Sequence, residues 1–114
     1  MARTGFILFA WALVACAAIG CDDVGDDPRA ALVQRGRVVF ETNCTACHAR
    51  EPWKAGPVGP AIAGSSLELL RSKVLRNEYP PGYVPKRTTR AMIPLPHLEP
   101  ELPAIQAYLE TQVR

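Results

Sequence analysis

Small and apolar residues recur with helical spacing near the start of the folded part of the chain. They follow one another at i, i+4, i+7 and i+8, and they are Leu32, Gly36, Val39 and Phe40. Asp27 and Pro28, which precede them, are typical of an N-cap and a first helical position. The pattern therefore predicts a helix over about 28–40.

Two more helical patterns lie in the C-terminal half. Ser65 followed by Glu68 is a capping-box signature and predicts a helix over about 66–77. Pro103 fits the first turn of a last helix. The apolar residues on one face of these two helices are Leu67, Leu70 and Val74, and Ile105, Tyr108 and Leu109.

Prolines and glycines dominate the connections between these segments. Three prolines and three glycines between Glu51 and Gly64 exclude regular structure there. Six prolines between Tyr79 and Pro100 exclude a helix or a central strand. Because no strand-like alternation is found, we expect an all-α chain with about three helices and long Pro/Gly-rich loops.

An uncharged apolar run, 6–20, follows the basic N-terminus. A spanning helix needs about 20 apolar residues, so this shorter run predicts a removable secretory signal over 1–20. The residues ending at Cys21 are similar to the cleavage box of bacterial lipoproteins, which predicts a lipid on Cys21. Cys16 ends a similar box but would leave a shorter signal, and an ordinary signal or an uncleaved anchor is a further alternative.

The remaining chain divides into an acidic tether over 21–27 and one domain over 28–114. This domain carries 12 Lys and Arg against 7 Asp and Glu, so it is basic. It is small, and aromatic residues make up only 7% of the chain, so large core side chains are scarce. We therefore expect something other than side chains to fill its centre.

Cys44-Thr45-Ala46-Cys47-His48 matches the C-x-x-C-H pattern of c-type haem attachment. Two thiols at this spacing can add to the two vinyl groups of one haem, and the next residue can bind the iron. A zinc site would need further ligands, and His97 is the only other histidine. A thioredoxin-like dithiol would favour a βαβ context. The motif predicts one haem c, covalently bound through Cys44 and Cys47, with His48 as a ligand.

With this motif, the domain resembles the class I monohaem cytochromes c over about 32–113. In that family an N-terminal helix with a glycine and an aromatic residue crosses a C-terminal helix with an aromatic residue. Gly36, Phe40 and Tyr108 match this arrangement. The resemblance implies the class I cytochrome c fold, in which helices and loops wrap around one covalently attached haem.

The resemblance also implies two further contacts with the cofactor. Within the Gly-Pro element at Pro60, the backbone carbonyl is implied to accept a hydrogen bond from the axial His48. Met92 is implied to be the sixth ligand of the iron, although Ile93 follows it where the family usually has proline. His97 in the same loop and an open sixth position are the alternatives.

Three aromatic residues are candidates to pack on the haem or to bind its propionates. They are Trp53, Tyr79 and Tyr83. For each, simple packing in the core is the alternative.

A basic cluster precedes Met92 and consists of Lys86, Arg87 and Arg90. Beside a partly exposed haem edge, it is predicted to steer an acidic redox partner. The alternative is an ordinary solvated charge run. No pattern of interleaved aromatic and basic residues indicates nucleic-acid binding.

The resemblance implies a one-electron carrier rather than an enzyme. It would act in a respiratory chain on the periplasmic side of a bacterial membrane, anchored by its lipid or soluble in the periplasm. One alternative is a haem subunit of a dehydrogenase or reductase complex. Another is a haem sensor or peroxidase-like protein with a displaceable sixth ligand.

Overall fold

The computed structural model describes residues 27–114, and the fold of this part is all-α, without strands. Its elements, in chain order, are α1 (Pro28–Asn43), α2 (Leu67–Arg76), a short 3-10 helix (Pro96–Glu101) and α3 (Leu102–Glu110). Long irregular segments join α1 to α2 and α2 to the 3-10 helix, as the proline and glycine pattern predicts.

The expectations for the leader lie outside the described residues. They are the signal over 1–20, the lipid on Cys21 or Cys16, and all but the last residue of the tether over 21–27. Within 27–114, no helix is both long enough and apolar enough to cross a membrane.

Helix α1 begins as predicted and ends three residues later than predicted. The Asp27 side chain accepts a hydrogen bond from the backbone N–H of Arg29 at 2.9 Å, and Pro28 occupies the first turn. On the expected inner face, Gly36 and Phe40 are buried. Leu32 was expected on the same face, but it is 38% exposed, and the next residue, Val33, packs against the core instead.

The crossing of α1 and α3 requires a residue without a side chain at one point. A Cβ atom added to Gly36 would overlap the carbonyl oxygen of Ala104. One turn further on, the rings of Phe40 and Tyr108 lie 5.5 Å apart between centroids. Close approach of the two helices therefore depends on Gly36, and the aromatic pair fills the space next to it.

Helix α2 begins one residue later than the predicted capping box. Its N-cap is Ser66, whose hydroxyl accepts from the N–H of Leu69 at 3.2 Å. Ser65 instead donates to the carbonyl of Ile62 at 2.7 Å, so the box of Ser65 and Glu68 is wrong. The helix ends at Arg76, and its C-cap Asn77 adopts the left-handed conformation (φ 53°) common at helix C-termini.

The 3-10 helix lies where the prolines were expected to exclude any helix, so that expectation is wrong at the end of the segment. Pro96 occupies the first turn, where no backbone donor is needed. Only a few backbone hydrogen bonds follow. In one of them, the N–H of Leu98 donates to the Leu95 carbonyl at 3.0 Å. The turn buries Leu98 and leads directly into α3.

The hydrophobic core lies where the three helices and the 3-10 helix meet. Its buried members are Phe40, Leu70, Val74, Leu98, Leu102, Ile105, Tyr108 and Leu109. Cys44 and Met92 are partly buried and contact this cluster from one side. The C-x-x-C-H motif and the segment that contains Met92 therefore both lie next to the core.

Candidate functional site

A cavity of about 330 Å³ opens beside the core. Its wall includes Cys44, Cys47, His48 and Met92, the predicted attachment and ligand residues, together with Pro60. These residues come from three segments that are far apart in the chain. The volume is within the usual range of about 300–1,000 Å³ for small-molecule and cofactor sites.

The C-x-x-C-H motif forms a turn that continues from the end of α1. The N–H of Cys44 donates to the Phe40 carbonyl at 2.9 Å. The Cys44 carbonyl in turn accepts from the N–H groups of Cys47 at 3.3 Å and His48 at 2.9 Å. This turn brings the three motif side chains to one cavity. Cys44 and Cys47 are in no disulfide bond within the described residues, and burial raises the pKa of the Cys44 thiol to about 11.

The imidazole of His48 is held by one hydrogen bond. Its Nδ1 atom lies 2.9 Å from the carbonyl oxygen of Pro60, the contact that the resemblance implies. Because a carbonyl only accepts, Nδ1 carries the proton, and Nε2 keeps the lone pair that can bind a metal. Burial lowers the pKa of His48, the Pro60 bond opposes this, and the charges of Arg87 and Lys73 lower the pKa further. The ring is therefore in its neutral, ligand-binding form at neutral pH.

Two glycines let the following loop lie against the motif. A Cβ atom on Gly59 would overlap the His48 ring, and one on Gly56 would overlap the carbonyl of Cys47. That carbonyl accepts from the N–H groups of Gly59 at 2.8 Å and Val58 at 3.2 Å. The sequence placed Gly59 in the Gly-Pro element and gave Gly56 only as a sign of irregular structure, so the contacts of these glycines with the His48 ring and the Cys47 carbonyl were missed.

Met92 lies in the cavity wall, partly buried, whereas His97 is exposed in the 3-10 helix and is not part of that wall. The Met92 segment, residues 84–94, and the residue that follows it are bonded to α2 and its C-cap. Before Met92, the carbonyl of Arg90 accepts from Asn77 Nδ2 at 3.1 Å. After it, the N–H of Leu95 donates to the Val74 carbonyl at 2.6 Å. Of the two candidate ligands in this loop, Met92 is therefore the one that shares the cavity with His48.

Two of the three candidate aromatic residues reach the cavity. Tyr79 and Tyr83 line it and stack with ring centroids 5.4 Å apart. The ammonium group of Lys73, which the sequence did not single out, lies 4.1 Å from the Tyr79 ring centroid. Trp53 is not in the wall, and the guanidinium of Arg114 lies 3.7 Å from its ring centroid.

The cavity wall is positively charged. Lys73, Lys86 and Arg87 line it, and among the described residues that form the wall there is no Asp or Glu. Six of the seven glutamates between 28 and 114 form ion pairs with cations that do not line the cavity. Of the six described Lys and Arg residues outside these ion pairs, three line the cavity.

No protein-family model matches the chain, and a search of curated proteins finds no match either. In the described part of the chain, no group of three or more His, Cys, Asp and Glu side chains is arranged to hold a metal ion. The function of the cavity is therefore inferred from its own residues.

Gly59→Ala should push the His48 ring away from the Pro60 carbonyl, because the added methyl group overlaps the ring. We expect the Nδ1–H resonance of His48 to lose its protection in NMR spectra. We also expect the free energy of unfolding to fall by about 1–3 kcal/mol. Pro57→Ala, at an exposed position of the same loop, is the control. An unchanged His48 resonance in Gly59→Ala would contradict the close contact between Gly59 and the His48 ring.

Proposed function

We propose that this chain is a one-electron transfer protein with the class I cytochrome c fold and one covalently bound haem. The observation that carries the proposal is the composition of the cavity wall. It joins the thiols of Cys44 and Cys47, the imidazole of His48 and the thioether of Met92. Those are the four groups that attach and ligate a c-type haem.

The cavity suits this cofactor in two further respects. Besides these groups, the wall is formed mainly by apolar side chains, including Leu70, Val74 and Ile105. Its charged side chains are all cationic, which complements a flat apolar macrocycle that bears two carboxylates. The Nε2 lone pair of His48 is kept available by the Pro60 bond.

Each residue has a defined role in this proposal. Cys44 and Cys47 would hold the haem through thioether bonds, and His48 and Met92 would bind its iron. When bound, the haem would supply an iron centre that changes between ferrous and ferric, and a thioether ligand raises its reduction potential relative to a second histidine. The chain itself provides the apolar wall and fixes the orientation of the His48 ring.

We propose that an acidic redox partner docks at the mouth of this cavity. Lys86, Arg87 and Arg90 belong to the segment that leads to Met92. Val84 and Ile93, in the same segment, are 82% and 76% exposed, so the charges border an apolar surface. Such a combination suits a short-lived encounter that is steered by charge and depends on salt.

We further propose that the protein is lipid-anchored on the periplasmic side of a bacterial membrane. The apolar run before Cys21 and the acidic residues after it support this proposal.

The covalent haem is tested on protein produced in cells that carry haem-attachment machinery. We expect the denatured protein to retain its haem in acidified acetone and to show the pyridine haemochrome of two thioether bonds. Cys44→Ala should shift this spectrum to that of one thioether bond. Extraction of the haem from the parent protein, or purification with zinc instead, would contradict the proposal.

Met92→Ala tests the sixth ligand. The substitution should abolish the sulfur-to-iron charge-transfer absorption of the ferric protein and lower the reduction potential, because a soft ligand that favours ferrous iron is lost. His97→Gln should change neither. If the absorption survives in Met92→Ala, another group ligates the iron. Rapid carbon monoxide binding by the reduced parent protein would instead favour a sensor with a displaceable ligand.

Cys21→Ser tests the anchor. We expect the protein to move from the membrane fraction to the soluble periplasmic fraction and to lose incorporation of labelled fatty acid. Cys16→Ser is the matched control and should remain in the membrane. Release by Cys16→Ser alone would assign the lipid to Cys16.

A further inference from the structure

The side chains of Lys86 and Arg87 extend from the Met92 segment to the loop formed by residues 56–61, which contacts the His48 ring. Lys86 Nζ donates to the Ala61 carbonyl at 2.8 Å. The guanidinium of Arg87 donates from Nη1 to the Val58 carbonyl at 2.5 Å and from Nη2 to the Gly56 carbonyl at 3.3 Å. Two neighbouring cations thus bind three carbonyl groups within 56–61.

The same short loop makes the contacts that fix His48. Gly59 lies against the imidazole ring, and the Pro60 carbonyl accepts from its Nδ1. The N–H groups of Val58 and Gly59 donate to the carbonyl of Cys47. The loop is therefore bonded on one side to the C-x-x-C-H motif and on the other to Lys86 and Arg87.

The Met92 segment has few other connections. Among the described residues, the backbone of 84–94 makes no backbone–backbone hydrogen bond. Within this range side chains hold it instead, through Lys86, Arg87 and the bond from Asn77 to the Arg90 carbonyl, and the next backbone bond is that of Leu95 to the Val74 carbonyl. Hydrogen bonds with a charged donor are stronger than neutral ones, and the planar fork of arginine suits two carbonyl groups at once.

Arg87 and Arg90 differ in their surroundings although both carry one positive charge in the same segment. Arg87 is partly buried in the cavity wall, and its donors are bound to backbone carbonyls. Arg90 is exposed, and within 27–114 its guanidinium makes no hydrogen bond or ion pair. The two residues therefore form a matched pair for separating a structural role from a role in partner docking.

We propose that Lys86 and Arg87 are positioning residues. They clamp the Met92 segment to the loop formed by residues 56–61, which contacts His48, so that the two segments move as one unit. The ligand roles of His48 and Met92 rest on the proposed function, whereas the clamp itself rests on the hydrogen bonds to Gly56, Val58 and Ala61. The consequence for ligation is direct. Loosening the clamp frees the Met92 segment and favours loss of the thioether from the iron.

Arg87→Met and Arg90→Met, compared in the purified haem-loaded protein, test the clamp. In Arg87→Met we expect the backbone amides of Val58 and Gly59 to exchange with solvent about tenfold faster, because local opening becomes easier. We also expect the ferric sulfur-to-iron absorption to disappear at a lower denaturant concentration. Arg90→Met should leave both unchanged and reduce only the salt dependence of electron transfer to an acidic partner.

Arg87→Lys and Lys86→Met extend the test if Arg87→Met folds poorly. Arg87→Lys keeps the charge but loses the planar guanidinium that binds two carbonyl groups. The exchange rates of its Val58 and Gly59 amides should therefore lie between those of the parent and Arg87→Met. Lys86→Met should speed exchange at the amides of Ile62 and Ala63, next to its own acceptor. Equal exchange and equal absorption in all four variants and the parent would overturn the clamp. A parent protein without haem would overturn the proposed function, while amide exchange would still decide the clamp.

Discussion

The hydrogen bond between His48 Nδ1 and the Pro60 carbonyl joins two of the segments that form the cavity. It ties the turn at the end of α1 to the loop over 56–61, and it determines which nitrogen of the ring keeps a lone pair. The bond can form only because Gly59 has no side chain to displace the ring. The Met92 segment depends on it indirectly, since Lys86 and Arg87 are bonded to the same loop.

A small domain with few large side chains is built here around close backbone contacts and the cavity beside the core. Gly36 lets α1 and α3 touch, and Phe40 and Tyr108 fill the space beside that contact. Among the described residues, eight larger apolar side chains form the buried cluster, and the cavity lies against it. The scarcity of aromatic residues in the sequence therefore corresponds to a fold whose centre is shared between a modest core and this cavity.

The sequence predicts this molecule best where the determinants are local. Helical periodicity, Asp27 with Pro28, and the spacing within 44–48 depend on residues a few positions apart, and they predict the three helices and the motif. The error at Ser65 is of one residue, because Ser66 is an equally good cap. The contact of Gly59 with the His48 ring and the hydrogen bonds of Arg87 could not be predicted in this way. They join side chains to carbonyl groups in distant segments, and any sequence offers such groups at every position.

The uneven pairing of charges leaves positive charge in the cavity wall that no carboxylate of that wall offsets. Glutamates neutralise cations on the helices and at their ends, while Lys73, Lys86 and Arg87 around the cavity have no carboxylate beside them in its wall. A molecule of this kind experiences a torque near a negatively charged surface and turns its cavity toward that surface before contact. The torque acts over about 10 Å at 0.1 M ionic strength, the distance at which dissolved ions screen it. Orientation during approach is thus set by where the glutamates are, as much as by the cations at the cavity.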